Sequence, residues 1–515
     1  MKSGRNIFFS TGRIGVALIV LALMFCSCSS QSKIPEESLS LTILHTNDHH
    51  GHTLTYTHNK KHIGGLAERM TLIKRLKGQS RSTGDMCLLF DAGDVSSGTL
   101  FSDFFATEPD WKIFGKYYDA ITPGNHDFDF PFDTVFNLIQ KFRVPVISSN
   151  IYGRQSGQLI FPPYNVFQKG NWKIAVIGVS HPDTPLISTL GNDKRLEFRS
   201  AVETAAVYVK ELRDTHDLVI VLSHLGEDDK LAKAVKGIDL IVGGHFHTPF
   251  EKPKKKNKTL LVNAGYGGQY VGHLSLVLLK RKRGKKRVQV RLVNYELLPV
   301  TGDLPPDKVT LSLLQPYKDT FGDRGQTVVG ETGEIFSRTP LEDSPSSSML
   351  ANLVADSYRY VTGADFAFVN EGGLRADLDK GPVTIDELHQ VLPFNNTLIL
   401  FELTGTQIFD IIQNMASTLI SEDGTLFPSN LYITLRESGK PSILTGDGAP
   451  LIPDKTYSVA VGSFIARGGD GHTSFPTFTQ KSDSQIRTGD ALRRYFEAKG
   501  IVFPDKTARL KKEIP

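Results

Sequence analysis

The sequence predicts an α/β protein of two domains, and three observations predict it. Its 515 residues exceed one ordinary domain, and 40% hydrophobic against 22% charged residues is a composition that folds around cores. From residue 39 to about 300, short apolar runs alternate with amphipathic stretches, the pattern of strands interleaved with helices. A stretch bearing Pro and Asp at 301–307 then interrupts the pattern before it resumes, which marks a domain boundary.

The first 28 residues are set apart from the fold. Lys2, Arg5 and Arg13 precede the apolar run 14–25, and Cys26-Ser27-Cys28 follows, which is a targeting segment too short for an ordinary membrane span. It resembles a bacterial lipoprotein signal, which implies cleavage before Cys28, lipid attachment there, and an exported protein held at a membrane, periplasmic or on the cell surface. Plain secretion and an uncleaved anchor are the alternatives. Cleavage would leave Cys87 as the only other cysteine, so no disulfide framework within the chain is expected.

The formal net charge of +4 is below that of a dedicated nucleic-acid binder, so no stable nucleic-acid partner is expected. Lysine-rich stretches at 252–258 and 280–287 adjoin the apolar runs 260–263 and 274–279, and they read as solvated loops at hairpin tips. The oligomeric state is not legible.

Five apolar runs in the first domain end directly in polar, metal-capable residues. Residues 41–44 lead into His45-Thr46-Asn47-Asp48-His49-His50, 87–90 into Asp91-Ala92-Gly93-Asp94, and 118–122 into Pro123-Gly124-Asn125-His126-Asp127-Phe128-Asp129. Residues 218–222 end in Ser223-His224, and 238–242 in Gly243-Gly244-His245-Phe246-His247. α/β proteins place their sites where neighbouring strands end, so five segments are expected around one crevice. Asp48 and His50 are two positions apart, which in extended backbone puts both side chains on one side, within reach of one ion; His245 and His247 repeat the logic. The donors are oxygen and nitrogen without thiolate, a set that suits zinc, manganese, iron or cobalt.

In the second domain, residues 346–360 read as a capped helix with an apolar face, 366–369 and 398–403 as strands, and 311–321 as a helical connector before them.

A lone His is more often a surface or core residue than a ligand, and each motif alone is weak. The ordered set, Asp-x-His, Gly-Asp, Gly-Asn-His-Asp, Ser-His and Gly-His-x-His, resembles the calcineurin-like metallophosphoesterases. The resemblance implies a β-sandwich flanked by helices at 38–300 and a dinuclear centre of two divalent metal ions. One ion would be held by Asp48, His50, Asp94 and His247, the other by Asp94, Asn125, His224 and His245, with Asp94 bridging. Two cations about 4 Å apart supply a hydroxide near neutral pH and stabilise both the entering and the leaving oxygen of an in-line displacement. His126 matches the family's catalytic histidine and Asp129 the acid that orients it; Asp127 is given no catalytic role. His45, His49, His52, His58 and His62 fall outside the pattern and are expected as solvated loop residues.

Asn370-Glu371-Gly372-Gly373-Leu374-Arg375, Leu392-Pro393-Phe394 and Phe464-Ile465-Ala466-Arg467-Gly468-Gly469-Asp470-Gly471 resemble the substrate-binding domain of bacterial 5'-nucleotidases, implying an α/β nucleotide-binding domain at 326–515 joined through 301–325. Carried over, Phe394 and Phe464 would sandwich the base, Asn370 would contact it, Asp470 would accept from the ribose hydroxyls, and Arg375 and Arg359 would hold phosphate oxygens. The implied reaction is hydrolysis of nucleoside 5'-phosphates, with UDP-sugars as further substrates. The alternatives are a 2',3'-cyclic-nucleotide phosphodiesterase or thiohydrolase on the same plan, and, from another class, a non-catalytic nucleotide-binding lipoprotein. The resemblance also implies rotation between the domains, with 305–325 as the hinge region.

Overall fold

The computed structural model describes residues 37–58, 61–188, 194–280, 288–341, 347–418, 424–436, 440–479 and 481–513. The targeting segment with Cys28 and most of the second lysine-rich stretch lie outside the described residues. Two sheets form the first domain. One runs, in spatial order, Gln289–Pro299, Tyr270–Lys280, Glu37–Thr46, Met86–Asp91, Ala120–Ile121; the other runs Lys254–Lys256, Thr259–Val262, Leu240–Gly243, Leu218–Ser223, Trp172–Val179, Tyr164–Lys169.

The apolar runs are continuous because these strands are buried on both faces. Leu41, Ile43 and Phe90 meet Ile220, Leu222 and Val242 between the sheets. Alternate residues turn outward: Leu44 and Leu89 pack under the helices Leu66–Ser82, Glu108–Tyr117 and Phe132–Phe142, while Val219, Val221 and Ile241 pack under Ala201–Leu212 and Asp228–Ala234. The result is a sandwich of two sheets with helices on both outer faces. Glu37–Thr46 runs parallel to Met86–Asp91, with Thr46 opposite Asp91, and Leu218–Ser223 runs parallel to Leu240–Gly243, with Ser223 opposite Gly243. The crevice thus draws on the strand ends of two sheets, not one.

The first lysine-rich stretch is not wholly loop. Lys254–Lys256 is an edge strand paired antiparallel with Thr259–Val262, and only the tip around Asn257, at φ 55°, turns. Edge lysines keep such a strand soluble and unpaired on its outer side. The connector is a helix, Lys308–Phe321, capped by Asp307, whose carboxylate accepts from Thr310 N at 2.9 Å. Leu314 buries it against the first domain, and Phe321 meets Phe101 with ring centroids 5.3 Å apart.

The second domain centres on a five-stranded sheet in the order Leu426–Ser429, Phe366–Asn370, Thr456–Gly462, Thr397–Thr404, Lys481–Arg487. Ala367, Val369 and Ala460 face the helices Met349–Thr362, Ile385–Val391 and Thr488–Lys499; Phe366, Phe368 and Val461 face the helix Gly405–Thr418 and a small sheet. Met349–Thr362 starts at Ser348, whose Oγ accepts from Ala351 N at 3.1 Å, and stops at Gly363 at φ 68°, a conformation that suits glycine. Among the described residues no helix is long and apolar enough to cross a membrane.

Candidate metal centre and cleft

Two groups of ligand atoms converge where the sandwich strands end: Asp48, His50 and His247, and Asp94, His224 and His245. In the first, His247 Nε2 lies 3.2 Å from Asp48 Oδ1 and 3.0 Å from His50 Nε2. In the second, His224 Nε2 lies 3.0 Å from Asp94 Oδ2, and Asn125 Oδ1 faces His245 Nδ1 at 3.0 Å. Asp94 Oδ2 is also 3.6 Å from His50 Nε2, so this carboxylate sits between the two groups. Asp94 Oδ2 and His224 Nε2 are buried, and although close they are not aligned for a hydrogen bond and have no other partner. Two orphaned ligand atoms converging on one point fit a cation, and the mixed oxygen and nitrogen donors fit zinc, manganese, iron or cobalt.

Hydrogen bonds behind the groups fix which nitrogen faces inward. His224 Nδ1 lies 2.6 Å from the Ala92 carbonyl and His50 Nδ1 lies 3.0 Å from that of Ser97, so each Nδ1–H donates to a carbonyl and leaves the Nε2 lone pair aimed at the centre. Burial holds His50 well below its ordinary pKa, lowers His247 and brings His245 to about 3, so these three are neutral and ligand-ready. Burial also opposes charge on His224, but the adjoining Asp94 carboxylate outweighs it and raises the imidazole to about 10.

The backbone differs from the extended geometry expected for Asp-x-His and His-x-His. Asp48, His50, Asp94, His245 and His247 have φ of 49°, 48°, 54°, 78° and 56°, all left-handed. Side-chain convergence is therefore produced by tight turns, not by strand alternation, and each such residue costs about 1–2 kcal/mol that surrounding bonds must offset. Asp127, given no catalytic role from sequence, supplies several of them: its carboxylate accepts from Asp94 N, Ser96 N and Gly124 N at 3.1, 2.9 and 2.8 Å. Gly124 has no room for a side chain, since a Cβ there would stand 2.1 Å from Asp94 Oδ1.

Three histidines expected in solvated loops are buried. His45 follows Ile43 on the face between the sheets and stacks on Tyr295 at 6.0 Å. His49 is fully buried between Asp110 and Arg69, and His52 bonds the His49 carbonyl through Nδ1 at 2.9 Å. His62 is exposed, and the His58 side chain lies outside the described residues.

His126 sits beside the two groups without belonging to either. Its Nδ1 is 2.7 Å from Asp129 Oδ2, its N–H donates to Asp94 Oδ1 at 2.8 Å, and its ring stands 5.2 Å from that of His50. The other domain reaches the same place. Phe394 stacks on His126 with centroids 4.9 Å apart and planes 10° apart, and Arg375 Nη2 lies 3.3 Å from His247 Nδ1. Asn370 Nδ2 donates to Asp470 Oδ2 at 2.8 Å. Phe464 is half-buried with Gly469 against its ring, where an added Cβ would come within 2.4 Å. Phe394 therefore spends one face on His126.

A cleft of about 290 Å³ between the domains is lined by His50, His247, Tyr266, Arg338, Arg375 and Phe394 among others, while Asn370, Phe464, Asp470 and the Asp94 group lie outside its lining. Arg359 does not line it. It stands in the last turn of Met349–Thr362, its Nε donates to the Asp365 carbonyl at 3.3 Å, and it faces a separate cavity. The second arginine of the cleft is Arg338, anchored by Nε to Asp377 Oδ1 at 3.1 Å; the sequence reading missed it because no motif surrounds it.

Comparison with known proteins agrees with this geometry. The calcineurin-like phosphoesterase family matches residues 41–249, and the 5'-nucleotidase C-terminal domain family matches 328–480. A 5'-nucleotidase of Vibrio vulnificus is 29% identical over 547 residues, covering 96% of each chain. The crystal structure of a 5'-nucleotidase precursor from Thermus thermophilus superposes with a TM-score of 0.80 at 29% identity, covering 93% of this chain and 100% of that one. The sulfate thiohydrolase SoxB, also from Thermus thermophilus, superposes at 0.76 with 20% identity over 92% and 97%, which speaks to the fold alone. A phosphoesterase match on the sandwich, a 5'-nucleotidase match on the second domain and near-complete coverage by relatives carrying both agree: the chain belongs to the bacterial 5'-nucleotidase family, a calcineurin-like metallophosphoesterase domain joined to a 5'-nucleotidase C-terminal domain.

Proposed function

We propose that this protein hydrolyses nucleoside 5'-phosphates to nucleoside and phosphate in the cleft between its domains, with UDP-sugars as further substrates. The observation that carries the reading is that one imidazole, His126, touches both halves: Asp129 holds its Nδ1 and Phe394 covers its face, so a phosphate beside the ligand clusters and a base near Phe394 fit one molecule. Bound at the two clusters, a pair of divalent cations would supply the activated water and offset phosphoryl charge. The chain's own residues do the rest. Arg375 and Arg338 hold phosphate oxygens, His126 stabilises charge on the phosphoryl group, Phe394 and Phe464 take the base, and Asn370 and Asp470 take the base edge and ribose. The domain limits of 38–300 and 326–515 belong to the same proposal, as do export and attachment at Cys28, which rest on the sequence of the targeting segment.

The test is phosphate release from AMP by protein stripped with a chelator, before and after manganese, zinc, cobalt or ferrous iron is restored, with UDP-glucose, a 2',3'-cyclic nucleotide and a simple aryl phosphate in parallel. Release from AMP that vanishes on stripping and returns with one of these cations is expected. Silence with all of them sinks the reading.

Arg338, which lines the cleft, and Arg359, which does not, separate sharply. Charge-assisted bonds to a phosphate contribute about 1.5–3 kcal/mol each, so Arg338→Ala should lower kcat/KM for AMP by about 10- to 100-fold, while Arg359→Ala should stay within about twofold. Equal effects of the two substitutions in steady-state kinetics would refute the assignment of Arg338.

A further inference from the structure

His49 stands between two residues of the first ligand group, yet its ring points away from them. It is fully buried, with Nε2 2.9 Å from Asp110 Oδ1 and Nδ1 3.0 Å from Arg69 Nη2. Arginine only donates, so Nδ1 accepts from Arg69 and Nε2–H donates to Asp110; one tautomer is fixed from both sides. Asp110 also accepts from Ser102 Oγ at 2.6 Å and from Thr53 Oγ1. Arg69 and Asp110 are fully buried on two helices, Leu66–Ser82 and Glu108–Tyr117. Arg69 also lies against Gly268, where no side chain would fit, and the neighbouring Gly267 N donates to the Asp48 carbonyl at 2.7 Å.

We propose that Arg69, His49 and Asp110 form a buried positioning network that holds Asp48 and His50 in place for the cation they share with His247, and that it acts on this cation far more than on the other. Asp48 and His50 sit at left-handed φ, which the chain does not hold unaided. Backbone bonds from Asp48 N to Gly93 O and from His50 N to Asp94 O fix the two ends of the turn, and the His49 side chain fixes its middle by tying it to two helices. None of the three network residues is bonded to the side chains of Asp94, Asn125, His224 or His245. The inference rests on the two-cation part of the functional reading.

The experiment counts and weighs cations directly, by calorimetric titration of stripped protein with Zn2+ and by Mn2+ electron paramagnetic resonance. Wild type should take two ions. In His49→Phe, which keeps a ring against Phe114, and in Asp110→Asn, which keeps shape, one ion should weaken by about 10- to 100-fold and the other stay within about threefold. Excess cation should restore turnover, and the exposed-residue control His62→Gln should match wild type. Two ions bound as in wild type, both weakened alike, or a lowered melting temperature of the stripped protein with unchanged affinities each overturn the proposal. If His49→Phe does not fold, Asp110→Asn and Thr53→Val decide it. A wild type that binds two ions but releases no phosphate from AMP would remove the functional reading and leave this one standing.

Discussion

Asp94→Ala releases both cations and lowers turnover of AMP by at least about 1,000-fold. The size follows from position: Asp94 Oδ2 lies 3.0 Å from His224 Nε2 and 3.6 Å from His50 Nε2, closer to both groups at once than Asp48 Oδ1, which is 3.2 Å from His247 Nε2 but 3.9 Å from His224 Nε2. A cation pair supplies several kcal/mol to a phosphoryl transition state, and each 1.36 kcal/mol is tenfold in rate. The same side chain also accepts the His126 N–H through Oδ1, so the turn carrying His126 loosens with it. A general collapse of the fold is not expected. Burial penalises charge on this carboxylate, and Ala removes that penalty together with the favourable contacts to His224 and His126, so the stripped variant should melt near the wild-type temperature. Metal content after desalting, turnover and melting temperature together read this out. Asp94→Ala with two retained ions and turnover within tenfold of wild type would end the bridging assignment.

What the sequence disclosed and what it hid divide along physical lines. Strands such as Leu218–Ser223 and Leu240–Gly243 were legible because burial on both faces makes a run apolar without interruption, whatever lies around it. The residues of the two candidate groups were legible because five such runs end in them. Their backbone was not, since two-residue spacing suits a strand and a left-handed turn equally, and only contacts such as those of Asp127 with Ser96 and Gly124 choose the turn. His49 looked like a loop residue because its burial depends on Arg69, 20 positions away, and Asp110, 61 away. That Arg359 lies away from the cleft was hidden for a related reason: position on a helix does not reveal which cavity its side chain faces, whereas Arg338 enters the cleft from a segment with no motif. The contact between Phe394 and His126 joins two domains, and no local pattern encodes it.

His126→Ala separates chemistry from metal binding, and the expected drop in turnover is about 100- to 10,000-fold with both cations retained. Retention follows because the His126 ring belongs to neither ligand group; its Nδ1 is spent on Asp129 at 2.7 Å. Burial works against charge on this imidazole, but the carboxylates of Asp129 and Asp94 outweigh it and raise its pKa, which favours the protonated form that meets a phosphoryl oxygen. Asp129→Asn keeps the hydrogen bond's geometry but not its charge, so it should cost less than His126→Ala. His126 is assigned no contact with base or ribose, so KM for AMP should hold while kcat collapses. That split is what a charge-stabilising residue produces and a merely structural one does not, because loosened packing would raise KM as kcat fell. Turnover within tenfold of wild type at full metal occupancy would strip His126 of the role.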